Sequence, residues 1–399
     1  MSLPVVHDLH QAILQLAEHL DAVDSEELPI TESAGRILAE DLVADRDSPA
    51  IDVSAMDGYA IRIADLERSN TLPVSAVNAA GFQPNPLPPN SAVRVFTGAG
   101  VPPECDCVVK REDTLEEPER VTIQLAAEQL QHGGNIRRKG ENSAQGDLIL
   151  GSGCEIHSAA IAAVASFGRH SIRVRRPLRI AILNTGDELA QAGEPVEDWQ
   201  IRDSNGPTLS AWLSKLSWVK IKTCEHVGDT LEQVEASLQR HLEDCDATIL
   251  TGGVSMGDTD YVPKAIENIG GTIQFHRLPL RPGRPVLGAT CNGKLLLGLP
   301  GNPVSVAVTS RVIGFPLLRK LAGVQPVFPS RPRVEVTNAD ERQLHLIWYR
   351  LVDQSSEGQL RFSPSLGSGD LVSLSRSEGF VEVPAGASGA GPWPFYAWE

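Results

Sequence analysis

Four short stretches bring together groups that need a reason to be neighbours. "TGGVSMGDTDYVPKAI" (251–266) sets Gly252, Gly253 and Ser255 ahead of Asp258, Asp260 and a predicted helix start; "NTGDEL" (184–189) ends in Asp187 and Glu188; "RPGRP" (281–285) carries Arg281 and Arg284; "PGNPVS" (300–305) carries Pro300, Gly301, Asn302 and Ser305. Glycines without a Cβ let backbone N–H groups approach a ligand. The first turn of a helix adds unpaired donors and the positive end of its dipole, a combination that suits phosphate. Asn302 is a candidate N-cap and Pro303 a natural first helical residue, so Gly301 and Ser305 frame a second anion pocket. Arg281 and Arg284 add forked donors. Against these stand Asp187, Glu188, Asp203, Asp258 and Asp260. Carboxylates beside phosphate commonly hold Mg²⁺ between them, so the metal candidates are Asp187, Glu188, Asp258 and Asp260. Each loop also has a plain alternative: the glycine pair as a turn, Asp258 or Thr259 as an N-cap, the arginines as solvated surface charges.

The elements around these loops predict why they converge. From about residue 178 to 322 the sequence alternates apolar runs with amphipathic stretches: "LRIAILN", "VKIKTCEHV", "TLEQVEASLQRHL", "DATILT", "TIQFHRL", "PVLGAT", "KLLLGL" and a last helix from "NPVSVAV" onward. Such a pattern predicts a mainly parallel sheet covered on both faces, with ligands outside the carboxyl ends of its strands, where all four loops fall. Asn292-Gly293 predicts a tight hairpin within it. Leu9, Ile13, Leu16 and Leu20 recur at helical spacing. Between about 44 and 144, short β-prone runs separated by Pro and Gly clusters predict a small β insertion, which splits a flanking layer in two. The fold class expected is therefore multidomain α/β. One domain comprises 1–24 and 178–324; a discontinuous linker domain comprises 25–43 and 145–177; the inserted β domain spans 44–144; a small, barrel-like β domain spans 325–399.

The chain of 399 residues is too long for a single ordinary core, and its formal charge of −16 excludes a general nucleic-acid binder. Six scattered cysteines give neither a disulfide framework nor zinc spacing. The longest uncharged run is interrupted by prolines, so a membrane span is not expected, and the N-terminal stretch lacks the pattern of a signal peptide. A cytoplasmic protein is expected. "GATCNGKL" (288–295) approaches a phosphate-binding P-loop but puts Leu295 where a hydroxyl is needed, and "IRRKG" (136–140) reads as a solvated basic turn.

Read in order, "SAMDGYAIR" (54–62), "RVFTGAGVPPECDCVV" (94–109), "NIRRKGEN" (135–142), "NTGDEL", "IRDSN" (201–205), "TGGVSMGDTDY" and "GLPGNPVS" resemble the motifs of the molybdopterin molybdenumtransferase family, the MoeA proteins and the gephyrin E domain. The resemblance runs from "AGRILAED" to the last α/β helix, with a looser C-terminal part. It implies a MogA-like α/β domain and a Mg²⁺-dependent enzyme that inserts molybdate into adenylylated molybdopterin and releases AMP. It also implies a homodimer in which the "SAMDGY" domain of one copy faces the α/β domain of the other. A MogA-like adenylyltransferase would supply the substrate, and acceptor molybdoenzymes would receive the product. Residue by residue, it gives catalytic roles to Asp57, Glu188, Asp203 and Asp260. It gives substrate-binding roles to Thr97, Pro300 and Ser305, and the chemistry of the loops themselves adds Gly252, Gly253, Ser255, Arg281, Arg284, Gly301 and Asn302 as substrate-binding candidates. The chain departs from the family's usual "KPGKP" with its two arginines, and from "GED" with Asn142. Those departures motivate an alternative, a divergent molybdopterin carrier or scaffold that does not insert metal.

Overall fold

The computed structural model describes residues 8–255 and 260–398. The described residues divide into two compact units: one contains those up to 40, 151–161 and from 170 onward; the other contains 41–150 and 162–169.

The first helix of the larger unit, Leu9–Ala17, starts at Asp8, whose carboxylate accepts from His10 N and Gln11 N. Leu9, Ile13 and Leu16 are buried along one face, and Leu20, past the helix end, completes the stripe. The strand Ser25–Pro29 pairs antiparallel with Ser171–Arg175, closing the chain over the segment between them.

The central sheet has the order Val219–Val227, Leu178–Thr185, Ala247–Thr251, Lys294–Leu299, Leu287–Cys291, Thr272–His276. The first three pairings are parallel and the last two antiparallel. The reversal is made by a two-residue hairpin, Asn292 (φ 51°) and Gly293 (φ 73°), the positive-φ pair that a type I′ turn requires. Ala247–Thr251 is buried throughout. At the sheet edge, Val219–Val227 alternates half-buried and exposed residues up to the buried Val227, because successive side chains point to opposite faces and one face is more covered than the other. Since two antiparallel steps restore direction, Thr272–His276 ends on the same edge as the parallel strands.

C-terminal strands Ile347–Gln354, Gly379–Val383, Trp393–Ala397 and Arg333–Val334 form a second sheet, with Leu360–Phe362 attached. Its first strand is borrowed: Leu280–Arg281, from the α/β sequence, pairs parallel with Ile347 and Trp348. Tyr349, Phe380, Tyr396 and Trp398 pack its aromatic core, with Phe380 and Tyr396 stacked 4.8 Å apart.

The smaller unit is built on a six-stranded sheet in the order Cys107–Lys110, Gly58–Ile61, Ala92–Val95, Thr71–Asn78, Arg120–Ile123, Thr114–Glu117. Gly58–Ile61 is buried throughout. A Cβ on Gly58 would collide with the carbonyl of Val109, so the backbone approach fixes that residue. Among the described residues, no helix is long and apolar enough to cross a membrane.

Candidate active site at the strand-end edge

Beyond Thr185 the chain turns at Gly186 (φ 143°) into Asp187 and Glu188. Asp187 N donates to Asp229 Oδ2 and Asp229 N donates to Asp187 Oδ1, each at 3.1 Å, so two loops from neighbouring strands are tied reciprocally. His226 Nε2 lies 2.7 Å from Gly186 O, and the Glu188 carboxylate folds back over Gly186. Burial raises the Asp229 carboxyl above its ordinary range; the bond from Asp187 N opposes this, while the charges of Asp187 and Glu188 push it higher.

Asp203 is engaged by the backbone and a neighbour. Its Oδ1 accepts from Asn205 N (2.9 Å) and Gly206 N (3.0 Å), opening the helix Asn205–Leu213, and its Oδ2 accepts from Asn184 Nδ2 (3.1 Å). Thr251 Oγ1 donates to Asn184 Oδ1 at 2.7 Å. Asn205 Nδ2 donates to Gly301 O at 2.8 Å, and among the described residues its buried Oδ1 has no hydrogen-bond partner. A donor from a ligand or water would satisfy it.

The glycine turn sits beside this network. Gly252 (φ 85°) and Gly253 (φ 61°) occupy the left-handed region, and a Cβ on Gly252 would meet Thr185 O at 2.7 Å. Gly252 Cα is 3.7 Å from the position of a Cβ on Gly301, so the two predicted anion loops are adjacent. Ser255 is exposed and Asp260 half-buried. Asp258 lies outside the described residues. Asn302 takes the N-cap position of the helix Pro303–Thr309 without capping it; its Nδ2 instead donates to Ser368 Oγ at 3.0 Å.

Next to these loops a cleft of about 1040 Å³ is lined by Arg281, Arg284, Pro300, Asn302 and Ser305, and on its other wall by Trp348, Arg342, Arg350 and Ser368. Three guanidinium groups lie over the Trp348 ring, Arg350 at 4.3 Å, Arg342 at 5.7 Å and Arg281 at 5.9 Å from its centroid. Asp340 receives two bonds each from Arg350 (2.8 and 3.1 Å) and Arg342 (2.9 and 3.1 Å). Arg350 above all holds the Asp340 carboxyl down at about 2. Such a wall can bind a polyanion through Arg281, Arg284 and hydroxyls while Arg342 and Arg350 are held in place by the carboxylate they share.

In the smaller unit, Asp57 and Thr97 meet each other: Asp57 Oδ1 accepts from Thr97 N at 2.7 Å and Thr97 Oγ1 at 2.8 Å. The backbone bond from Thr97 leads in holding the Asp57 carboxyl below its usual value. Arg137 there bonds Asn142 Oδ1 and Glu141, Arg138 pairs with Asp52, and Lys139 pairs with Asp47, so the basic turn is largely internally paired.

Residues 6–168 match the model of the MoeA N-terminal region (domain I and II), and residues 181–320 match a probable molybdopterin binding domain. A molybdopterin molybdenumtransferase of a Nostoc species is 34% identical over 96% of this chain and 91% of its own; one from Haemophilus influenzae is 35% identical over 79% of this chain and 78% of its own. The chain belongs to the molybdopterin molybdenumtransferase family. It is an enzyme of molybdenum cofactor biosynthesis. The molybdopterin biosynthesis MoeA protein of Pyrococcus horikoshii shares its fold, with a TM-score of 0.81 at 24% identity over 98% of this chain and 99% of that one.

For a molybdopterin molybdenumtransferase, the described edge is notable in two respects. Among the described residues no group of three or more His, Cys, Asp or Glu side chains is placed to hold a metal ion. Mg²⁺ nevertheless commonly takes one or two carboxylates and completes its shell with waters and substrate phosphates. Asp187 and Glu188, held next to Asp229 by the reciprocal loop bonds, offer the one or two carboxylates that this smaller role needs. The site also includes Asn205, Asp229, Arg342, Trp348, Arg350 and Ser368, to which sequence reasoning gave no role. Asp229 follows a strand in "HVGD", as Asp187 does in "NTGD", and that parallel was a usable signal. The cleft residues from the C-terminal sheet had no local signal.

Proposed function

We propose that the chain catalyses Mg²⁺-dependent insertion of molybdate into adenylylated molybdopterin, releasing AMP. The observation that carries this reading is the continuity of one strand-end edge. Carboxylates after Thr185 and Val227, bare glycine backbone after Thr251 and Leu299, and arginines after Leu280 follow one another in the order that a diphosphate ligand with its cation would need.

In this reading Asp187 and Glu188 hold Mg²⁺, with Asp258 and Asp260 as further candidates. Mg²⁺, when bound, neutralises charge developing on the phosphate oxygens. The N–H groups of the Gly252–Gly253 and Gly301–Asn302 turns and the Ser305 hydroxyl orient the pyrophosphate and terminal phosphate. Arg281 and Arg284 hold oxyanions at the cleft, including molybdate as co-substrate. Asp203 and Asn184 position Asn205, whose free Oδ1 accepts a donor from substrate or an ordered water. Asp57 and Thr97, pre-bonded to each other, serve the α/β domain of a second copy in a homodimer. A MogA-like adenylyltransferase supplies the substrate, acceptor molybdoenzymes take the product, and the reaction is cytoplasmic.

The carrier alternative rests on Arg281, Arg284 and Asn142. The Asn142 amide accepts from Arg137 Nη2 at 2.5 Å, and Arg281 is placed against Trp348. Both departures therefore have local partners that fit this chain's own side chains, which favours retained insertion. The test is AMP release from purified adenylylated molybdopterin, with and without Mg²⁺ and molybdate, coupled to reconstitution of an apo-molybdoenzyme. AMP release dependent on both ions, with active cofactor formed, is the expected result. Tight binding with no AMP and no cofactor would overturn it in favour of the carrier.

A further inference from the structure

A second cavity, of about 240 Å³, shares Tyr349 with the arginine cleft and is lined by Arg311, Arg331 and Glu382, with Arg333 and His10 also on its wall. Arg311 sits in the π-helical turn Ser310–Gly314, whose other members Ser310, Val312, Ile313 and Gly314 are buried. Its Nη2 donates to Trp398 O at 3.3 Å, and its guanidinium lies 4.3 Å from the Trp212 ring centre and 5.7 Å from that of Trp398. Arg331 lies 4.6 Å from the Tyr396 ring and 5.8 Å from that of Phe315. Among the described residues, no carboxylate lies within ion-pair distance of either arginine. The cavity's carboxylate, Glu382, accepts from Tyr396 OH at 2.8 Å and Tyr349 OH at 3.3 Å, and its charge offsets part of that of Arg331, so among the described residues two guanidinium groups face one carboxylate.

This arrangement is costly as it stands. Burial, followed by repulsion from Arg331, drops the Arg311 guanidinium to about 9, and burial also leads in lowering Arg331. At neutral pH Arg311 remains charged, and a guanidinium such as Arg331 does not give up its proton in a protein. Aromatic faces offset part of the desolvation of a guanidinium, but they do not neutralise it or cancel the repulsion between two of them. An oxyanion bridging the pair does both, and a guanidinium offers it two parallel donors.

We propose that the cavity between Arg311 and Arg331 binds a tetrahedral oxyanion of the phosphate or molybdate class, at a site distinct from the strand-end cleft. Trp212 and Trp398, stacked on Arg311, report its occupancy. The proposal does not depend on the reaction proposed above.

The test titrates the full-length protein separately with inorganic phosphate and molybdate while following tryptophan emission, in wild type, Arg331→Gln, Arg331→Lys and the cleft variant Arg284→Gln. A saturable emission change is expected in wild type and Arg284→Gln. Its midpoint should rise at least about tenfold in Arg331→Gln and recover partly in Arg331→Lys. Equal midpoints for the two anions would define a general phosphate-type site, and a preference of about tenfold or more for molybdate would tie it to the metal oxyanion; both support the proposal. A midpoint unmoved by Arg331→Gln, or abolished by Arg284→Gln, would overturn it. Should Arg331→Gln fail to fold, crystals of the wild-type protein soaked in molybdate decide the matter. Anomalous scattering from molybdenum between the two arginines supports the site, and its absence there with occupancy in the cleft refutes it.

Discussion

Asp187, Glu188 and Asp229 crowd carboxyl groups into loops after two neighbouring strands, whereas Arg342 and Arg350, on the far wall of the cleft, share the single carboxylate of Asp340. At the acidic end, backbone N–H groups hold the loops together while the charge stays largely uncompensated. At the basic end, the Asp340 carboxylate clamps Arg342 and Arg350 and offsets one of their two charges, while Arg281 and Arg284 face the cleft. In the function proposed above the first arrangement would be completed by a cation, whereas the second is a surface that an anion can enter without reorganising it. One edge thus presents an acidic half and a preorganised basic half.

That contrast breaks most readily at Glu188. Glu188→Ala should lower the turnover rate of AMP release by about 10²-fold or more, as expected for loss of electrostatic support in a transition state, and should leave substrate binding nearly intact. Unchanged turnover would remove the acidic end from the chemistry. Arg284→Ala should act the other way, raising the KM for adenylylated molybdopterin about tenfold with little change in kcat, the signature of lost uniform binding. Trp348→Leu should be milder, an increase in KM of about 2- to 5-fold, matching a cation–π contribution of about 0.5–1 kcal/mol. The same measurement in an Arg281→Lys background should show a smaller Trp348 effect if the ring serves the guanidinium.

The smallest effect concerns pH. Because Asp340 titrates at about 2 in the folded protein, below the ordinary value near 3.9, its stabilisation is complete above the ordinary value and is lost only as pH falls through about 2. The difference in melting temperature between wild type and Asp340→Asn should therefore stay constant from pH 5 to 8. It should shrink only in strong acid, as followed by thermal melts. A difference that changed between pH 5 and 8 would mean that another group controls the clamp.

What the sequence made legible follows locality. Asn292-Gly293 announced its hairpin because a type I′ turn needs two positive φ values in succession. The N-terminal leucines announced their buried face through helical spacing, and the convergence of loops followed from strand direction. The Asn302 position was readable, but its bond to Ser368 was not, since capping competes with a tertiary partner 66 residues away that local pattern does not encode. For the same reason the far wall of the cleft was hidden: Arg281 pairs with Trp348 only because the C-terminal sheet borrows Leu280–Arg281 as a strand. Asp203 looked like a free carboxylate in "IRDSN" until its three hydrogen bonds were seen. Side-chain types reveal what chemistry is available; only the fold shows which groups are already engaged.

The pairing of Ser25–Pro29 with Ser171–Arg175 also sets a timetable for synthesis. At about 5–20 residues per second, the earlier strand emerges on the order of ten seconds before its partner exists. In that interval the smaller unit, whose strands from Gly58 to Ile123 are complete in themselves, can assemble on the ribosome. Once it does, the unmatched strand waits across a folded body instead of a long loose loop. Even for a loose loop the delay would carry little equilibrium penalty, since each doubling of loop length adds only about 0.6 kcal/mol. The order of birth along the chain, more than the free energy of closure, is what the insertion governs.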